Sequence, residues 1–268
     1  LSSLKVGGQA FADGVLMRSK RFWAIAHEDG TTEFGRVYSW LEHHPKWNVF
    51  LIRSIISFVE MAKFGFKTYE RSAGLVVKRF ITWTLIYVAA ALFMSMLVKQ
   101  WFGDGHLASL FLQFFYLAMA LFAISQGMSG RIWTYHGAEH KAVNAYESGH
   151  DLDDLDAMKG CSRIHQRCGT NLMFMILIAA AFYVPNPNMG LNVLLSALYM
   201  VFMMAISLEL FRQLTRWPQH LITKIFLLGG NTLQRFATTK EPDDDQLLVA
   251  AKALKLVLAL EEGNSRSR

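Results

Sequence analysis

Charge is scarce in this chain and unevenly spread. Asp, Glu, Lys and Arg make up 18% of its 268 residues and hydrophobic residues 53%, whereas soluble domains carry about 25% charged residues. That shortage argues against an ordinary soluble domain and for an integral membrane protein. Cysteine is nearly absent: Cys161 and Cys168 are the two present, and they could pair only in an oxidising compartment. The first residues are glycine-rich and carry no apolar run of the secretory type. There is no P-loop, no internal repeat, and no interleaving of basic and aromatic residues of the kind nucleic-acid binders use. The net charge of +6 therefore points to basic cytoplasmic loops and not to a nucleic-acid partner.

What the chain does have is uncharged length. Phe80–Val98 has 19 residues without a charge, Leu107–Gly130 has 24, and Leu191–Leu208 is equally clean. Thr170–Val184 is also uncharged, but its 15 residues fall short of the roughly 20 a spanning helix needs. It ends in "PNPNMG", a turn between two apolar runs. The expected fold is mainly α: a polytopic α-helical membrane protein with about four transmembrane helices. Lysine and arginine number 12 in residues 1–79, one in 99–106, five in 129–169, none in 185–190 and nine in 212–268. By the positive-inside rule, both termini and the central loop are cytoplasmic in a bacterial inner membrane. A reducing compartment then argues against a disulfide.

The organisation expected along the chain is a cytoplasmic segment over 1–79, a first transmembrane pair over 80–130, and a cytoplasmic His/Glu/Cys loop over 131–169. A second pair covers 170–211, and cytoplasmic helices cover 212–268. Within the first segment, "RFWAIAHEDGTTEFGRVYSW" alternates about an Asp29-Gly30 turn and predicts a small β-hairpin. "WNVFLIRSIISFVEMAKFGFKTYE" predicts an amphipathic helix at the interface. "TRWPQHLITKIFLLGG" predicts a second one, with Pro218 in its first turn and the glycine pair at its end. "EPDDDQLLVAAKALKLVLALEEG" predicts a soluble amphipathic helix with the stripe Leu247, Ala251, Leu254 and Leu258.

The chemistry gathers in "YHGAEHKAVNAYE", residues 135–147. On a helix turning about 100° per residue, His136, Glu139, His140 and Glu147 all lie within about 60° of one line. Histidines at i and i+4 can reach one divalent cation. The order H-x-x-E-H is that of inverzincins, in which the glutamate is the general base. Glu147 lies about 10 Å further along the axis and suits an orienting role. The second half of the site is "CSRIHQRCGTN", where His165 or Cys168 would complete a three-ligand catalytic set. A thiolate among imidazoles favours zinc. A solvated polar face and a packed cysteine are the plain alternatives. Glu209 with Arg212 reads equally as a carboxylate at membrane depth or as an ion pair. Asp13 and Arg18 are further candidates. His27, His43, His44, His106, His150 and His220 are expected at the surface or interface.

"GGQAFADGVLMR", "YHGAEHKAVNAYE", "HQRCGTN" and "TTKEPDDDQLLVA", in that order, resemble the YqhQ-like family of bacterial membrane proteins, a domain-of-unknown-function family. The resemblance runs over nearly the whole chain. It implies a metal-dependent enzyme and marks His136, Glu139, His140, Glu147, His165, Arg167 and Cys168 as characteristic positions. Two positions depart from the family's usual pattern: Asp13 replaces glutamate, and Gln166 replaces proline. The function expected is a metal-dependent hydrolase or transferase. His136, His140, His165 and Cys168 serve as metal ligands, and Glu139, Glu147 and Arg167 as catalytic groups. A membrane-associated substrate or protein partner, the bilayer itself and a homo-oligomer are the expected partners. The alternative is a non-enzymatic membrane scaffold with a structural metal or none.

Overall fold

A computed structural model describes residues 4–69, 73–103, 105–127, 130–181 and 193–266. Four strands come first: β1 (Gly7–Ala10), β2 (Gly14–Arg18), β3 (Phe22–His27) and β4 (Thr32–Arg36). A short α1 (Trp40–His43) and a 3₁₀ turn (Pro45–Trp47) lead to α2 (Ile52–Tyr69), α3 (Ala73–Phe102) and α4 (His106–Gly127). Then come α5 (Gly130–Glu147), α6 (Leu155–Gly160), α7 (Gly169–Ala181), α8 (Val193–Leu214) and α9 (Leu221–Leu233). A π-helical turn (Gln234–Thr238) and α10 (Asp244–Arg266) close the chain. The protein is thus mainly helical with a small N-terminal antiparallel sheet. The elements sort into two compact units. The first holds Leu1–His44, Ser129–Asn171 and Pro218–Arg268, and the second holds Pro45–Met128 and Leu172–Trp217.

In the first unit the strands form a meander in the order β1-β2-β3-β4. The hairpin expected about Asp29-Gly30 is β3–β4. Gly30 takes φ +85°, open to glycine without strain, and Asp29 Oδ1 accepts from both the N–H and the hydroxyl of Thr31. The preceding hairpin was not expected. It lies in the glycine-rich "GGQAFADGVLMR", where β1 has only four residues, two of them glycine, and no alternation to read. One sheet face carries Val15, Met17, Ala24 and Ala26 into the core. Against it pack Tyr135, Ala138, Ala142 and Ala145 of α5 and Leu247, Ala251, Leu254 and Val257 of α10. The predicted stripe of α10 is therefore its buried face. Asp243 accepts from the Gln246 N–H at 2.8 Å while the Gln246 side chain accepts from the Asp243 N–H at 3.2 Å, a capping box that starts the helix.

Two details of α9 differ from the sequence reading. The helix begins at Leu221, past Pro218, and runs through Gly229 and Gly230 to Leu233. Gly230 is there for close approach and not as a stop: a Cβ on it would stand 2.6 Å from the Cα of Asn171.

In the second unit, α3 and α4 pack as a helical pair joined through Gly103 at φ +65°. Trp83 meets Phe122 edge to face, with ring centroids 5.6 Å apart, and the hydroxyls of Ser95 and Tyr116 are hydrogen-bonded. Their outer faces are apolar: Leu85, Leu92 and Phe93 of α3 and Leu107 of α4 are each more than 60% exposed. Among the described residues, one helical stretch, Ile81–Phe102, is long and apolar enough to cross a membrane. The other expected spans are helical over 106–127, 169–181 and 193–214. "PNPNMG" lies outside the described residues.

Candidate metal centre

The first unit builds the site on α5. His136, Glu139 and His140 share one face of that helix, and α5 is buried there because the sheet, α10 and the 161–171 segment surround it. Gly137 between the histidines has a specific job. A Cβ there would collide with the carbonyl of Lys240, so glycine lets the 239–242 segment lie against α5, where the Lys240 N–H donates to the Trp133 carbonyl at 2.9 Å.

Both imidazoles are oriented by backbone carbonyls. Nδ1 of His136 lies 2.7 Å from the Thr238 oxygen, and Nδ1 of His140 lies 2.7 Å from the Arg163 oxygen. A carbonyl can only accept, so each Nδ1 carries the proton and each neutral ring presents its Nε2 lone pair. Those two nitrogens converge on Cys168. Its Sγ is 3.3 Å from His136 Nε2, and the ligand atoms of His136, His140 and Cys168 all lie within 4.8 Å of one another. Cys168 precedes α7, and its sulfur accepts from the Thr170 N–H at 3.4 Å. Burial pushes the pKa of His140 down, which favours the neutral, ligating form.

Glu139 sits beside this group, with Oε2 3.9 Å from Nε2 of both His136 and His140. It is buried, and burial pushes its pKa up, outweighing the Gly8 backbone bond that pulls the other way. Gly8 lies on β1 and must be glycine to come so near: a Cβ would stand 2.7 Å from Glu139 Cγ. Strand β1 therefore closes one side of the site.

Glu147, His165 and Arg167 form a second cluster, with Glu147 two turns past His140 on α5. His165 Nε2 is 3.4 Å from Glu147 Oε2, Arg167 pairs with Glu147, and Arg167 Nη2 also donates to the Val6 carbonyl at 3.3 Å. Burial would push the Glu147 pKa up, but the bonds from His165 and Arg167 and the Arg167 charge outweigh it and hold it at about 2. The His140 and His165 rings are 5.7 Å apart, so the clusters adjoin. His165 lies outside the three-atom group. Gln234 fixes the His165 backbone, accepting from its N–H at 2.9 Å and donating to its carbonyl at 3.1 Å.

The remaining candidates lie elsewhere. Glu209 belongs to the second unit and is bound by Arg53, Ser54 and Arg212. The ion-pair reading holds, with Arg53 as a stronger partner than the expected Arg212. Asp13 pairs with His27, Oδ2 to Nδ1 at 3.3 Å, and Arg18 stands opposite Gly7 in the sheet. His27 is buried in β3, contrary to expectation, because that strand is covered on nearly its whole length. Cys161 and Cys168 are both free thiols. The site residues not foreseen are Gly8, Gly137, Gln234 and the carbonyls of Arg163 and Thr238. Two of them left a signal: the Gly7-Gly8 pair suggests tight backbone geometry, and a mid-helix glycine such as Gly137 costs about 1 kcal/mol and needs a packing reason.

The sequence profile of a family described as "Protein of unknown function (DUF1385)" matches residues 49–260. A relative in Bacillus subtilis (strain 168), described as "Uncharacterized protein YqhQ", is 28% identical over 300 aligned positions, covering 95% of this chain and 92% of that protein. No solved structure matches.

Proposed function

The chain belongs to the DUF1385 family, and we propose that it is a metal-dependent hydrolase or transferase working at the cytoplasmic face of the bacterial inner membrane. The observation that carries the reading is the donor set. Two imidazoles, each held at Nδ1 by a backbone carbonyl, turn Nε2 toward Cys168 Sγ inside a 4.8 Å group. An N₂S set of this size fits a four-coordinate divalent ion with one position open, and its softness favours zinc. Such an ion, when bound, supplies Lewis acidity and lowers the pKa of water. The chain's own residues do the rest. Glu139, within 4 Å of both Nε2 atoms and with a raised pKa, accepts or returns a proton at Oε2. Strand β1 keeps bulk water from its carboxylate. Arg167 and Glu147 fix the loop that carries Cys168.

The membrane setting rests on the way the segments associate. Residues 1–44, 129–171 and 218–268, each drawn from a stretch rich in lysine and arginine, share one core, while the apolar runs between them gather in the other unit with residues 45–79. Two apolar runs separate each basic stretch from the next, so each return to the same side needs an even number of crossings. The apolar outer faces of α3, α4 and α8 support lipid contact, as does α9, where Leu221, Ile225 and Leu228 are each more than 60% exposed. A site in the unit that carries α9 suits a membrane-associated substrate.

Glu139→Gln tests the catalytic part. It keeps size and shape but cannot take a proton. Metal content and folding should stay near wild type, while complementation of a deletion strain should fall by roughly 10²–10⁴-fold. A metal-loaded, folded and fully functional Glu139→Gln protein would sink the enzyme and leave a scaffold with a structural metal.

A further inference from the structure

Glu209, near the end of α8, is a carboxylate with three partners, buried at 3% exposure. Arg53 closes a fork on it, Nε at 2.7 Å and Nη2 at 2.5 Å, and Ser54 Oγ donates at 2.7 Å. Arg212 reaches the same Oε1 through Nη1 at 3.3 Å. One negative charge thus faces two guanidiniums, and Arg216 adds a third positive charge in the turn that follows α8, where its N–H donates to the Gln213 carbonyl at 3.1 Å. The cluster carries an excess of two positive charges.

The two arginines of α8 and α2 are used differently. Arg53 commits its fork to Glu209. Arg212 spends one long bond there and is 32% exposed along its side chain. Arg216 is exposed and donates to Gln213 at 3.2 Å. The N–H groups of each planar guanidinium that are not bound to Glu209 or Gln213 match the oxygens of a phosphate. The flanking chain has the composition of a headgroup zone: Trp47, Phe50 and Trp217 are each at least half exposed, and large aromatic residues collect at that level of a bilayer.

We propose that Arg212 and Arg216 bind the phosphate of an anionic phospholipid headgroup, with the Arg53–Glu209 pair as the base that holds Arg212 in place. The proposal rests on the membrane reading above and is independent of the metal centre. Basic side chains at an anionic surface each strengthen binding by roughly fivefold, and a buried carboxylate that is already satisfied does not compete for the ligand.

The test uses the full chain in non-ionic detergent micelles, titrated with phosphatidylglycerol and with phosphatidylcholine, the retained lipid being counted by native mass spectrometry. Wild type should retain phosphatidylglycerol at least about tenfold more strongly. Arg212→Gln/Arg216→Gln should bring the two lipids within about twofold, while Lys224→Gln on α9 should leave the preference intact. If the double variant does not fold, Arg216→Gln alone must lower the preference. Equal retention of both lipids by wild type, or an unchanged preference in a folded arginine variant, would overturn the proposal. So would displacement of phosphatidylglycerol by millimolar inorganic phosphate, which would make this a soluble-anion site. Membrane residence is read separately, from whether the chain stays with membranes in alkaline carbonate. A chain released by carbonate overturns the membrane reading, whereas lost lipid preference in a chain that stays overturns only this proposal.

Discussion

His136 Nε2 and Cys168 Sγ stand 3.3 Å apart although 32 residues separate them in the chain. Neither side chain finds that position by itself. The Thr238 carbonyl turns the imidazole, and the start of α7 holds the sulfur through the Thr170 N–H. Three segments distant in sequence thus agree on one small volume. Packing alone would be served by any apolar pair there, and it does not require two oriented imidazoles beside a thiol.

Removing one donor should therefore cost metal more than fold. His136→Ala, His140→Ala and Cys168→Ser should each lower bound zinc in the purified protein by roughly 10–100-fold or more in affinity, the range lost even when an orienting partner is removed. His150→Ala, at an exposed position, should match wild type. Metal analysis of the four proteins decides the matter, and equal content in all of them would remove the centre.

Gly8 and Gly7 offer a test of how β1 closes the site. A Cβ at Gly8 would lie 2.5 Å from the Leu16 carbonyl and 2.7 Å from Glu139 Cγ, whereas one at Gly7 meets nothing within 4 Å. Gly8→Ala should destabilise the first unit by about 1–3 kcal/mol. Gly7→Ala should change it by less than about 0.5 kcal/mol. Thermal melts of the two variants give the comparison, and equal melting temperatures would mean that β1 does not press on Glu139.

The parts that sequence made visible are those with a local period. The i,i+4 histidines, the stripe of α10 and the Asp29-Gly30 hairpin follow from spacings of four, three to four, and two residues. The apolar runs announced themselves by length. What stayed hidden depends on distant backbone. A carbonyl such as that of Thr238 or Arg163 has no side-chain signature, so the groups that fix each histidine tautomer could not be named. The Arg53–Glu209 fork spans 156 residues, and the nearer Arg212, three residues away, was the partner that a local rule suggests. His27 was misplaced for a related reason: β3 is covered on nearly its whole length, so its alternation does not separate inside from outside.

Topology follows from the same charge pattern and can be read directly. Reporter fusions after residues 104 and 188 should report the periplasm, and fusions after 150 and 268 the cytoplasm. The fusion at 150 matters most, because residues 129–171 share a core with both terminal segments. A periplasmic signal there would invert the orientation and place both free cysteines in an oxidising compartment, against the reduced thiol that the site requires.

Glu147 links the site to acid stability, and the sign is fixed by its pKa. The folded value of about 2 lies below the 4.5 of the free side chain, so the folded state binds fewer protons than the unfolded chain between those values. Its contribution is complete above about pH 4.5 and is lost as pH falls toward 2. Arg167 and His165 are its partners, so the loss loosens the loop just ahead of Cys168. With Glu147 partly exposed, the contribution is on the order of 2 kcal/mol. Glu147→Gln should remove that part of the acid dependence, leaving a flatter stability curve below pH 4.5 and a protein less stable near neutrality by about 1.5–3 kcal/mol, the worth of hydrogen bonds to a charged group. Denaturant unfolding at several pH values would show it. Parallel curves for wild type and variant from neutrality through the acid range would mean that the Glu147–Arg167 pair does not hold the loop.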